Sequence, residues 1–204
     1  YTRGWQADGW RTMGKTRLEA FSDGVLAIII TIMVLELRVP HTDSIAGLTP
    51  LLPVFLAYVL SFLYVAIYWN NHHHLMHTAQ HVSASILWAN MHLLFWLSLI
   101  PFATAWMGEN HFTETPTALY GFVLMMAGFA YWLLSKAIIR SHGDESILKK
   151  AIGRDFKGNA SIVLYAIAIP LAFYQELISG IMYVLVAVMW LIPDRRIERL
   201  LAQH

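Results

Sequence analysis

The stretch RLEAFSDGVLAIIITIMVLELRVP, Arg17 to Pro40, decides the fold. It is apolar enough to be buried in lipid, yet Arg17, Glu19 and Asp23 crowd one end and Glu36 and Arg38 the other, with Thr31 near the middle. Crossing the hydrocarbon of a bilayer takes about 20 residues at a rise of ~1.5 Å each. Leu18–Leu37 supplies that length. An aspartate at the centre of such a helix costs about 2.5–3.5 kcal/mol on insertion scales. Nearer the helix N-terminus the cost is lower, and the helix dipole favours a carboxylate there.

The rest of the chain has the same character. Of its 204 residues, 57% are hydrophobic and 13% charged, against roughly 25% charged in soluble domains. That balance describes a polytopic membrane protein. A net charge of +1 gives no reason to expect nucleic acid as a partner. Without cysteine there is no disulfide, thiolate metal site or redox couple.

Five further segments are long or apolar enough to pair with the first: Leu51–Trp69, Ala84–Trp106, Ala118–Ile139, Ile162–Ile178 and Ile181–Ile192. Residues 1–16 form an N-terminal segment, and 17–204 one six-helix membrane domain without an internal repeat. Arg3, Arg11, Lys15 and Arg17 precede the first span. Arg140, Lys149, Lys150, Arg154 and Lys157 flank the fourth connection, and Arg195, Arg196 and Arg199 follow the sixth. Arg38 is the lone basic residue on the other side, against Glu36, Asp43, Glu109, Glu114 and Glu176. The expected fold is therefore all-α, with six transmembrane helices and both termini cytoplasmic.

With Ile28 at zero on a helical wheel, Ile32 falls at about +40°, Leu35 at about −20° and Thr31 at about −60°. Ser22 falls at about +120° and Asp23 at about −140°. The aliphatic stripe and the Ser22/Asp23 pair thus face different partners. Lipid contact is the plain explanation of such a stripe, and a dipole-favoured end carboxylate that of Asp23.

After the second span, YWNNHHHLMHTAQH brings Trp69, Asn70, Asn71, His72, His73, His74, His77 and His81 to the membrane level of Ser22 and Asp23. His74, His77 and His81 would share a helical face, a spacing that suits a metal ion. With His92 and His111 forming no second histidine box, hydrogen bonding to Ser22 and Asp23 is the better expectation, and no metal is assigned. No nucleophile elbow, P-loop, GxGxxG, TVGYG filter or arginine ladder is present, and no catalytic residue is assigned.

RLEAFSD carries the R-x-x-x-F-S-D pattern and resembles the opening of the first helix in the transmembrane protein 175 family, the lysosomal potassium channels and their prokaryotic homologues. The likeness continues through SFLYVAIYWNNHHH and ANMHLLFWLSLIPFATAWMG, and less specifically through WLIPDRRIE. The resemblance implies a pore lined by the first helix, with constriction layers at Ile28, Ile32 and Leu35 and with Thr31 at the pore's edge. It implies that Arg17, Phe21, Ser22 and Asp23 fix packing and assembly, and that Trp69, Asn71, His72 and His73 network with the Ser–Asp pair. A single repeat implies a prokaryotic homotetramer in the cell membrane. Such a protein would pass potassium and other monovalent cations passively, without a cofactor. A proton-conducting or pH-sensing channel is the alternative, and a histidine-metal membrane enzyme a more distant one.

Overall fold

The computed structural model describes residues 4–41, 43–142 and 156–191, and among these the regular structure is all helical. Helix α1 is Gly4–Leu35, and a 3-10 segment Ile45–Leu51 leads into α2, Leu52–His77. Then come α3 (Ala84–Ser98), α4 (Ile100–Glu109), α5 (Glu114–His142), α6 (Phe156–Leu171) and α7 (Glu176–Leu191). Among the described residues four helical runs are long and apolar enough to cross a membrane: Gly14–Leu35, Ile45–His77, Ala84–Glu109 and Glu114–Ser141. Two more, Lys157–Leu171 and Glu176–Leu191, are apolar but shorter. At ~1.5 Å per residue the described residues of these last two cover about 22–24 Å of a ~30 Å hydrocarbon core.

Several boundaries differ from expectation. Helix α2 runs on to His77 instead of ending near Trp69, so most of the polar cluster is helical. The third span is two helices, broken at Leu99, where Pro101 enters the first turn of α4. Pro lacks the N–H that a continuous ladder would use at that point. Helix α6 stops at Leu171, one residue past Pro170, and Glu176 opens α7, so the turn lies several residues before the expected break near Ile178. Hydropathy alone hides that turn, because Phe173 and Tyr174 read as span. The basic residues Arg3, Lys149, Lys150, Arg154, Arg195, Arg196 and Arg199 lie outside the described residues, as does the expected end of the sixth span at Ile192.

Helix α1 packs on α2, α3 and α4, while α5, α6 and α7 extend the bundle on the far side. Lys15 Nζ meets the carbonyl of His77 at 3.4 Å, joining the start of α1 to the end of α2. At the opposite end Arg38 pairs with Glu109 at 3.1 Å. Both pairs are exposed, and neither fixes the core.

The core uses small residues and satisfied hydroxyls. At Gly108 a Cβ would lie 2.7 Å from the Val54 Cα, so only glycine lets α4 and α2 approach so closely. At Gly121 a Cβ would overlap the buried Tyr183 hydroxyl, which donates to Thr117 O at 3.2 Å. Ser61, Thr104 and Tyr120 share hydrogen bonds of 2.6 and 3.0 Å, and the Tyr64 hydroxyl donates to Tyr183 O at 2.6 Å. Among the described residues every buried side-chain N or O has a partner, as a medium without water requires.

Candidate pore-lining helix and its polar anchor

The inner face of α1 is set by Leu18, Ser22, Leu26, Ile29 and Met33, all buried. Spacings of three and four residues put them in one row. Ser22 is fully buried and donates to Leu18 O at 2.8 Å, so its oxygen still has lone pairs free to accept. Asn90 of α3 fills that role, its amide nitrogen donating to Ser22 Oγ at 2.9 Å. The other end of the Asn90 amide meets His72 Nε2 of α2 at 2.7 Å. Because the atom contacting His72 is the carbonyl oxygen, it accepts, and His72 Nε2 carries the proton. His72, Asn90 and Ser22 therefore tie α2, α3 and α1 together in a buried line.

Asp23 behaves differently from its neighbour. It is exposed, not wedged among the spans, and its Oδ1 accepts from Trp69 Nε1 at 3.0 Å. One residue along a helix turns the side chain by about 100°, so Ser22 faces inward while Asp23 sits on the shoulder beside α2. Trp69 in turn stacks on His73, and His73 on His77, at centroid distances of 6.3 and 6.4 Å. Asn71 donates to its own helix at Ile67 O, 2.8 Å away. Of the four residues expected to network with the Ser–Asp pair, Trp69 touches Asp23 directly and His72 reaches Ser22 through Asn90. Asn71 and His73 hydrogen-bond to neither, and Arg17 and Phe21 point outward.

The expected face of His74, His77 and His81 does not form. Helix α2 is capped at Thr78, and His81, in the following loop, bonds to Ser141 Oγ of α5 at 2.8 Å. Among the described residues no three His, Asp or Glu side chains converge as metal ligands.

The opposite face of α1 is bare. Ile28, Ile32 and Leu35 are 59%, 42% and 75% exposed in the single chain. Thr31, between them, is also exposed and donates its proton to Ala27 O at 2.9 Å. With the proton turned to the backbone, the hydroxyl oxygen presents its lone pairs outward. From Ile28 to Leu35 the stripe climbs about 10 Å. It carries a row of branched apolar side chains, one acceptor oxygen and no charge.

The chain has clear relatives. The family model described as the endosomal/lysosomal potassium channel TMEM175 matches residues 17–101. A potassium channel of Chryseobacterium sp. (strain P1-3) is 57% identical over 192 residues, covering 94% of this chain and 100% of its own length. A potassium channel of Streptomyces collinus is 34% identical over 126 residues, 58% of this chain and 61% of that protein. The crystal structure of a lysosomal potassium-selective channel TMEM175 homologue from Chamaesiphon minutus superposes with a TM-score of 0.73 at 26% identity, covering 88% of this chain and 97% of that one.

Proposed function

The chain belongs to the TMEM175 family of potassium channels, and on that premise we propose that it conducts potassium and other monovalent cations passively through a homotetrameric pore lined by α1. The single observation that carries the pore assignment is the division of α1 into two faces. Its inner row is buried and pinned through Ser22, Asn90 and His72, whereas Ile28, Ile32 and Leu35 are left uncovered among the described residues. One stripe cannot enclose a path, but copies of it around a closed cyclic axis can.

In this reading Ile28, Ile32 and Leu35 are successive apolar layers that a permeating ion crosses partly dehydrated. A narrow apolar ring stays dry and blocks, and slight dilation wets it. Outward lone pairs on Thr31 offer the cation a substitute for lost water. Arg17, Phe21 and Asp23, exposed in the single chain, are available for contacts between subunits. We further propose that six spans, α1, α2, α3 with α4, α5, α6 and α7, cross the membrane of a prokaryotic cell with both termini cytoplasmic. Lys15 and Arg17 at the start of α1 support this reading, lying at the same end as the close of α2 and of α5, which carries Lys136 and Arg140. In this reading potassium is the permeant ion, and conduction needs no cofactor and no catalysed reaction.

The test is a reversal-potential measurement on the purified protein in liposomes under opposed potassium and sodium gradients. The expected reversal lies toward the potassium equilibrium potential. A reversal that follows an imposed proton gradient and ignores potassium would favour the proton-channel alternative instead.

A further inference from the structure

A cavity of about 60 Å³ lies between α2, α5, α6 and α7, lined by the buried Tyr64 and Tyr165, the half-buried Gly128 and Trp190, and the exposed Trp132 and Ile162, which mark its mouth. By the same measure one water needs about 10–15 Å³. The space therefore suits about four waters, or the leading methylenes of a single hydrocarbon chain.

The state of the lining polar groups decides between them. The Tyr64 hydroxyl donates to Tyr183 O at 2.6 Å and that of Tyr165 to Tyr64 at 3.2 Å. The Tyr131 hydroxyl donates to Asn71 O at 3.3 Å, and the Asn71 amide to Ile67 O at 2.8 Å. Trp190 Nε1 donates to Ser161 Oγ at 2.8 Å, and Ser161 to Lys157 O at 2.8 Å. These donors are engaged within the protein, so entering water would find few unmet hydrogen bonds. Apart from the exposed Asn159 amide and the Tyr68 hydroxyl, which donates to Leu124 O at 3.5 Å, rings and aliphatic groups make up most of the remaining lining, which favours hydrocarbon.

The mouth has the opposite character. Trp132 and Ile162 are 42% and 41% exposed, so the opening faces the lateral surface of the bundle. Lys136 Nζ lies 5.6 Å above the Trp132 ring, and Lys157 Nζ 5.9 Å from that of Trp190. Each of the two cavity-lining indoles thus carries an ammonium group. A snorkelling lysine over an interfacial tryptophan needs no ligand. Two of them bordering one apolar recess match an acidic head group joined to a hydrocarbon tail.

We propose that this cavity receives part of one acyl chain of an anionic phospholipid whose phosphate rests against Lys136 and Lys157. The proposal rests on the bundle spanning a bilayer, and not on which ion the pore passes.

The test uses the full-length protein in nanodiscs of phosphatidylcholine and phosphatidylglycerol, with retained lipid counted by native mass spectrometry after gentle extraction. This readout needs no current, so its failure is distinct from failure of the conduction reading. Wild-type protein is expected to retain phosphatidylglycerol preferentially, and Lys136→Gln with Lys157→Gln to weaken that retention on the order of thirtyfold, leaving phosphatidylcholine unaffected. At Gly128 a Cβ would meet only the Tyr68 hydroxyl, at 3.7 Å. Gly128→Leu therefore fills the recess and should abolish retention of both lipids. Should that variant fail to assemble by size exclusion, Ile162→Trp carries the same arm. Equal retention in wild type and the lysine pair variant would overturn the proposal. So would displacement of the lipid by inorganic phosphate alone, which would make the site a bare anion site.

Discussion

Replacing Asn90 by leucine removes the middle of the buried line that joins three helices. The two side chains are close in size, so the change is mainly one of polarity. It deletes the 2.7 Å contact to His72 and the 2.9 Å contact to Ser22. Ser22 keeps its own bond to Leu18 O, but His72, only 3% exposed, loses this partner for its Nε2 proton. Leaving one buried donor unmatched costs about 1–3 kcal/mol. Interhelical bonds in a membrane protein average ~0.6 kcal/mol each, which for two bonds gives about 1 kcal/mol as the lower end. Asn90→Leu should therefore lower stability by about 1–3 kcal/mol, read from reversible unfolding in mixed detergent micelles. The informative companion is the triple variant Ser22→Ala, His72→Leu, Asn90→Leu, in which no polar group is stranded. Because replacing all partners by apolar groups can be nearly neutral, it should recover at least half of the loss. A single variant as stable as wild type, or a triple variant worse than the single, would refute the account of a satisfied polar line.

Three other outcomes follow from the same geometry. Ile28→Asn places an amide on the exposed stripe and should raise flux or lower the potassium-to-sodium preference in liposome recordings. Unchanged currents in polar variants of Ile28, Ile32 and Leu35 alike would count against the pore assignment. Thr31→Val keeps the shape but removes the outward oxygen, and should shift the reversal potential toward less potassium preference without reducing assembly. Gly121→Ala forces a methyl onto the Tyr183 hydroxyl, and should cost about 1–3 kcal/mol through overpacking, measured by the same micellar unfolding.

Much of this was legible in the residues. Among the described residues hydropathy marks the apolar runs but neither the break at Leu99 nor the turn after Leu171, and the wheel separates Ile28, Ile32 and Leu35 from Ser22. The wheel treated Ser22 and Asp23 as a pair, however, and they part company. Ser22 lies at about the centre of the buried row, while Asp23 lies about 100° from it, and sequence does not say how wide the buried arc is. Asn90 was visible as an amide inside the apolar run LWANMHLL, and a buried amide demands partners. Its role needed the third dimension, because its partners sit 18 and 68 residues away. The tyrosine and hydroxyl cluster was hidden for the same reason. Each tyrosine reads alone as an interfacial aromatic, and the crossing of α2, α5, α6 and α7 is what turns them inward.

The division of labour on α1 also explains why so apolar a helix begins with so polar a motif. A helix held only by aliphatic contacts gains little by packing on protein instead of lipid, because both are equally apolar. Directional bonds are what give it one rotational setting. Ser22 fixes the rotation through Asn90, and Asp23, one residue on, holds Trp69 at the shoulder. On the proposed reading that rotation aims Ile28, Ile32 and Leu35 at a common axis. A turn of about 120° would instead bring the row of Asp23, Ala27 and Val34 round to that axis, so that the ion would meet a carboxylate and a methyl in place of the Ile28 and Ile32 layers. The polar motif then governs conduction without touching an ion, by deciding which side chains the ion meets.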